Sequence, residues 1–189
     1  MKKWRKGLVL AGLVAMCAGG NARADKAFGF TLSHRNLDED LWRSLDDQFS
    51  IGFHFDFGKR RIHHVFSLLA SDKGGCSSIC FGRPDSEGSI AELSYGVIFS
   101  RFTGKFQPYI GGGISFVNAG VDWNEVGRDF DDEDTSAGWY LAGGLAWRVA
   151  SKLQLGVDVR QLGGTEIELG PDRGDADYLQ IGALIRVTP

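Results

Sequence analysis

The feature that most constrains this chain is a sustained alternation of large apolar residues with small or polar ones. Phe49, Ile51, Phe53, Phe55 and Phe57 alternate with Ser50, Gly52, His54, Asp56 and Gly58. A period of two belongs to a strand with two unlike faces, because successive side chains point to opposite sides of the pleat. The pattern returns where Ala91, Leu93, Tyr95, Val97 and Phe99 alternate with Glu92, Ser94, Gly96, Ile98 and Ser100. It returns again over Trp139 to Trp147, Leu153 to Val159 and Leu179 to Val187. With weaker strands near 26–34, 61–71 and 106–117, the count is eight.

What each face meets decides the class. The polar phase is rich in Gly, Ala and Ser mixed with single charges of both signs, whereas a solvated sheet face carries Lys, Glu and Thr at nearly every position. The other phase holds a large aromatic or aliphatic residue in nearly every slot. Lipid outside and a tight polar interior meet both demands; a soluble barrel or sandwich would put the apolar phase inside. After Ala24 no apolar run approaches the roughly 20 residues of a spanning helix, so a membrane reading rests on strands. The 27 glycines suit tightly packed or curved strands and are too many for a helical protein. The expected fold is all-β, an eight-stranded antiparallel up-and-down transmembrane β-barrel.

The connections alternate in length. Gly58-Lys59-Arg60, Thr103-Gly104-Lys105 and Ala150-Ser151-Lys152 are tight, and the others run approximately over 35–47, 72–88, 118–136 and 163–176. Outer-membrane barrels place short turns in the periplasm and long loops outside, which puts both chain ends on the periplasmic side. Each short turn holds Lys, while the third long connection contains Asp129, Asp131, Asp132, Glu133 and Asp134.

The N-terminus reads as an export signal. Lys2, Lys3, Arg5 and Lys6 precede an apolar stretch from Leu8 to Ala18, and Ala22-Arg23-Ala24 is a small-residue cleavage site. Cys17 follows Met16 where a lipoprotein signal carries a small residue, so cleavage after Ala24 is expected in place of a lipid anchor. The division is a signal peptide over 1–24 and a barrel domain over 25–189. Removing 1–24 takes away five cations and no acid, so the net charge falls from −3 to −8. Such a chain does not bind nucleic acid by charge.

These residues resemble the small outer-membrane β-barrel proteins of the OmpA-type and opacity-protein kind, and the likeness covers nearly all of the chain after residue 24. Its most specific pieces are Pro108-Tyr109-Ile110-Gly111-Gly112-Gly113 and the closing strand Gln180 to Val187. The closing strand is similar to the signal read by the outer-membrane assembly machinery: polar Gln180, then Gly182, then the spaced apolar pair Ile185 and Val187. The chain departs from that pattern in ending Thr188-Pro189 instead of on an aromatic residue. The resemblance implies a Gram-negative outer-membrane location, with lipid, lipopolysaccharide and the assembly machinery as partners. It says little about activity, because such folds host adhesins, anchors, enzymes and small channels.

Candidate chemical sites are few. Cys76 and Cys80 lie in the second long connection, where an oxidising surface favours a local disulfide. His63 and His64 are neighbours on one strand and face opposite ways. Ser33, His34 and Asn36 match in residue type the outer-membrane lipid A deacylases, but that family's spacing, His then a residue then Ser-Asn, is missing. The acid run from Asp129 to Asp134 lacks an EF-hand's ligand spacing and central Gly and reads as a solvated loop. Gly111-Gly112-Gly113 has no helix after it, so it reads as barrel packing and not as a phosphate loop. No catalytic residue, cofactor site or metal site is therefore assigned.

An eight-stranded barrel has room only for side chains. The inward phase supplies His54, Asp56, Glu92, Gln107, Tyr109, Tyr140, Arg148, Gln154, Asp158, Arg160, Gln180 and Arg186. Unpaired charges there would be costly, so Arg148, Arg160 and Arg186 are expected to pair with Asp56, Glu92 and Asp158. The expected function is a non-enzymatic structural or surface-interaction barrel with a plugged interior, acidic external loops and an unknown extracellular ligand. The alternatives are a small channel for apolar or tiny solutes and a lipid A-modifying enzyme.

Overall fold

The computed structural model describes residues 25–37, 46–59, 61–73, 86–125, 128–169 and 172–189. Residues 1–24, expected to be the signal peptide, and Cys76 and Cys80, expected to form a disulfide, lie outside them. Among the described residues ten strands form: β1 (Asp25–Leu37), β2 (Asp47–Lys59), β3 (Ile62–Lys73), β4 (Ser86–Ser100), β5 (Phe106–Glu125), β6 (Arg128–Arg148), β7 (Leu153–Gly163), β8 (Ile167–Leu169), β9 (Asp172–Gly174) and β10 (Tyr178–Val187). Eight of them close a barrel in the order β1-β10-β7-β6-β5-β4-β3-β2, every pair antiparallel. The strands β8 and β9 form a separate two-stranded sheet.

The alternation in sequence becomes an alternation of faces. Outward stand Phe49, Ile51 and Phe53 of β2, Leu93, Val97 and Phe99 of β4, Trp139, Leu141 and Trp147 of β6, and Leu179, Ile181 and Ile185 of β10, all exposed. Phe28, Phe53, Phe55, Phe57 and Phe66 pack ring to ring across β1, β2 and β3. Toward the long-connection end the outward phase turns polar, at Asn36, Asp47, Asp72, Ser89, Asn118, Thr135 and Gln161. The apolar stretch from Phe49 to Phe57 matches the 9–11 residues with which a tilted strand crosses a bilayer. A soluble protein rarely exposes an apolar surface of this extent, and lipid is the solvent it suits.

Two connections differ from their sequence-based expectation. The described residues of the stretch 118–136 are strand: β5 and β6 stay paired from Phe106 and Trp147 up to Glu125 and Arg128. The run from Asp129 to Asp134 therefore lies in a strand that continues past the apolar belt. The backbone ladder propagates for as long as its partner strand does. The stretch 163–176 is also structured, because β8 and β9 fold back over the barrel end. The Asp177 carboxylate holds their base, accepting from the Gly164 N–H (2.9 Å), the Thr165 N–H (3.0 Å) and the Thr165 hydroxyl (2.7 Å). Gly164 takes φ +75°, a conformation that L side chains rarely adopt.

Candidate functional site: the charged interior of the barrel

The inward phase builds three layers. Uppermost, toward the long connections, is an apolar layer in which Ile167 and Ala176 of the folded-back segment pack with Leu37, Ile90, Val117 and Tyr178. The sequence reading does not anticipate this layer: it ends the first strand short of Leu37 and takes 118–136 and 163–176 as loops. The layer is apolar because the β8–β9 segment covers it and keeps water away.

Beneath it lies a charged cluster centred on Glu92 of β4, to which all eight barrel strands contribute. Glu92 Oε1 accepts from the Ser115 hydroxyl (2.6 Å) and from Arg160 Nη2. Its Oε2 accepts from the Tyr178 hydroxyl (2.5 Å) and from Arg35 Nη2 (3.5 Å). Arg35 is fully buried; it donates to Gln180 Oε1 (3.0 and 3.2 Å) and to the Ser71 hydroxyl (3.1 Å), which donates to Gln48 (2.6 Å). Arg160 donates to the Tyr178 hydroxyl (3.0 Å) and the Ser94 hydroxyl (2.9 Å). Both guanidiniums also lie over aromatic rings, Arg35 over Tyr178 at 3.8 Å and Arg160 over Tyr140 at 3.6 Å. Two cations on one carboxylate leave a local excess of positive charge, offset by hydroxyl dipoles and ring faces.

A second cluster lies toward the short turns. Arg186 Nη2 pairs with Asp56 Oδ2 at 3.0 Å, and the Tyr109 hydroxyl donates to Asp158 Oδ2 at 2.5 Å. His54 stands between the Thr31 and Ser67 hydroxyls (3.1 and 2.8 Å). Glycine makes room for the Tyr109 ring: a Cβ on Gly144 would sit 2.6 Å from Tyr109 Cζ. Between the two clusters lies a void of about 20 Å³, room for roughly one water. Below the second cluster the lumen widens into a vestibule of about 430 Å³.

Five of the six charged residues read from the sequence as an interior network lie in these clusters: Glu92 and Arg160 in the first, Asp56, Asp158 and Arg186 in the second. Arg148 does not. It is exposed at the vestibule with its guanidinium 4.4 Å from the Phe102 ring centre. The cation that joins Arg160 at Glu92 is Arg35, which the sequence reading missed because it ended the first strand at 34. Carrying the alternation of Ala27, Gly29, Thr31 and Ser33 one step further would have placed Arg35 inside.

The other candidates separate. Ser33 faces inward and donates to the Ser50 carbonyl, while His34 faces outward, 3.5 Å from Asp47, so the two cannot act on one substrate. His64 stacks on Phe57 and Tyr95 on the outer face, and His63 lines the vestibule. Of the closing strand, Gln180 faces inward against Arg35 and Gly182 seats against Ser33, while Ile185 and Val187 join the outer belt. Among the described residues no group of three or more His, Cys, Asp or Glu could hold a metal ion. Asp134 accepts from the backbone N–H groups of Glu168 (2.8 Å) and Thr135 (2.7 Å), which hold its carboxyl below the ordinary carboxylate range.

No protein-family model and no curated protein sequence matches the chain. Solved structures do. Neisserial surface protein A superposes with a TM-score of 0.61 at 16% identity, covering 90% of this chain and 100% of its own. Ail, the attachment invasion locus protein of Yersinia pestis, gives 0.54 at 11% identity, covering 87% and 96%. OprG, an outer membrane protein of Pseudomonas aeruginosa, gives 0.53 at 13% identity, covering 90% and 98%. With its closed antiparallel barrel and its outward apolar belt, the chain has the fold of the small eight-stranded outer-membrane β-barrels.

Proposed function

We propose that the protein is exported, loses residues 1–24, and resides in a Gram-negative outer membrane as a non-enzymatic barrel. Its interior is closed to solutes, and its outward-projecting strands and loops carry the interactions. The observation that carries this reading is the Glu92 cluster, in which side chains from every barrel strand fill the cross-section. A 20 Å³ void is too small for any solute larger than water. An apolar layer under the β8–β9 segment covers one end. Against an enzyme stands the opposite facing of Ser33 and His34.

The extended β5–β6 hairpin, with its run of acids, is the natural contact surface. Lipopolysaccharide phosphates bridged to it by divalent cations are one partner it suits, and an extracellular ligand is another. Two of the similar structures are, by their names, a surface protein and an attachment invasion locus protein, which supports a surface role. Gln180, Gly182, Ile185 and Val187 would serve the assembly machinery, and Cys76 and Cys80 a disulfide.

Planar-bilayer recording of the purified barrel tests the reading. Conductance near background is expected, and large, steady single-channel currents would replace it with a channel. Fractionation and N-terminal sequencing should find Asp25 first in the outer membrane.

A further inference from the structure

Of the six buried side-chain polar atoms that lack a hydrogen-bond partner among the described residues, four line the vestibule at the short-turn end; the other two are Ser50 Oγ and the Tyr140 hydroxyl. The four in the vestibule are Asp56 Oδ1, Gln107 Oε1, Gln154 Oε1 and Arg186 Nε. A native interior rarely tolerates such atoms without a ligand or water to meet them. Of the four atoms Arg186 Nε is a donor and three are oxygens; the Gln154 amide can turn to present its NH₂ to the vestibule, while the Gln107 NH₂ is engaged by the Ser100 hydroxyl at 3.0 Å.

The arrangement favours one sign of charge. Arg148, Gln154 and Arg186 are register partners on the adjacent strands β6, β7 and β10, so two guanidiniums flank one amide in a single row. Arg148 has no carboxylate partner among the described residues, and Lys26 lines the same space. Asp56 is the one acidic side chain of the lining, beside the backbone end at Pro189; Arg186 pairs with Asp56 through Nη2 at 3.0 Å and keeps its Nε–H without a partner among the described residues, so the excess charge comes from Arg148 and Lys26. The Ser151 hydroxyl adds a donor. Lys59, Arg61, Arg101, Lys105 and Lys152 lie in or beside the three turns at this end and extend the positive field. At about 430 Å³ the space is many times the roughly 30 Å³ of one water.

We propose that this vestibule binds a phosphate group, held between Arg148 and Arg186 across Gln154 with Lys26 as a further cation. Two planar forks and a point cation suit a tetrahedral oxyanion, whose oxygens accept charge-assisted hydrogen bonds from each. The group can come from a free phosphate or from a phospholipid headgroup of the adjoining leaflet. The second source rests on the membrane orientation proposed above.

The test uses the full ¹⁵N-labelled barrel in an amine-oxide detergent, which carries no phosphate of its own. The Nε–H signals of Arg148 and Arg186 are followed during titration with inorganic phosphate and, separately, on doping the micelles with phosphatidylglycerol or phosphatidylcholine. Ionic strength is held with chloride. A saturable shift at both arginines is expected. It should be weakened about tenfold by Arg148→Gln, the scale of one charge-assisted contact. Lys26→Gln should weaken it less, and Lys59→Gln, outside the lining, not at all. A response to inorganic phosphate alone assigns the site to a soluble anion, and a response to either lipid assigns it to a headgroup. Shifts that stay linear with both probes, or equal weakening by Lys59→Gln and Arg148→Gln, overturn the proposal. Arg148 is exposed and bears no interior pair, so its variant folds; the heat-dependent gel shift of a closed barrel verifies this. Phosphate binding by a protein absent from the outer-membrane fraction would sink the location and leave this site standing.

Discussion

The two charged clusters use the same residue types and settle them differently. Around Glu92 each carboxylate oxygen has two donors, and both arginines have further acceptors. Around Asp56 and Arg186 one contact at 3.0 Å carries the pair, and each partner keeps an atom without a hydrogen-bond partner among the described residues. The difference follows from access to water. The upper cluster lies beneath a dry apolar layer, where a missed hydrogen bond is charged at its full desolvation cost. The lower cluster borders an open vestibule, where water or an anion can complete it. The same inward phase of the same strands thus makes a dense network around Glu92 at one end, where the Tyr140 and Ser50 hydroxyls are the unpartnered atoms among the described residues, and a receptive surface at the other.

The sharpest way to break this comparison is to remove its centre. Glu92→Ala leaves Arg35 and Arg160 buried without a counter-charge and should cost about 3–5 kcal/mol, read as a lower denaturant midpoint in micelles. A cost no larger than that of the lower-cluster variant would show that the upper end is equally hydrated. Next comes the cover: Ile167→Ala removes a fully buried side chain from the apolar layer and should cost about 2–4 kcal/mol. Asp56→Asn should cost only about 1–2 kcal/mol, because Arg186 is left at the vestibule edge and not in a dry interior.

The smallest effect concerns the tie between β6 and the β8–β9 segment. The Asp134 carboxyl titrates below its ordinary value when folded, so its contribution is complete above about pH 4 and disappears as pH falls through the folded value. Hydrogen exchange at the Glu168 amide should therefore lose protection, relative to the intrinsic rate, in that acidic window and stay flat above it. Asp134→Asn should lack the pH dependence, and a pH-independent profile in the unmodified protein would argue against the tie.

Much of this molecule is legible from alternation alone. The inward and outward phases of β2, β4, β6, β7 and β10 follow from residues such as Phe53 beside His54 and Leu93 beside Glu92, because a strand offers its side chains only two directions. A slip of one residue would turn Glu92 into lipid and Leu93 into the lumen, so the pattern excludes odd slips, whereas a slip of two keeps every residue on its face. The sequence by itself therefore determined the apolar belt, the up-and-down order of strands and most of the side chains that face the lumen. Which of those side chains meet was decided by tertiary structure. Arg35 reaches Glu92 and Arg148 does not because strand tilt and barrel closure set the height of each residue along the axis, and alternation carries no information about height. The same holds for the acids of β6, which read as loop until a partner strand extends beside them, and for Ile167, whose burial depends on a segment folding back over an end that only the closed barrel creates.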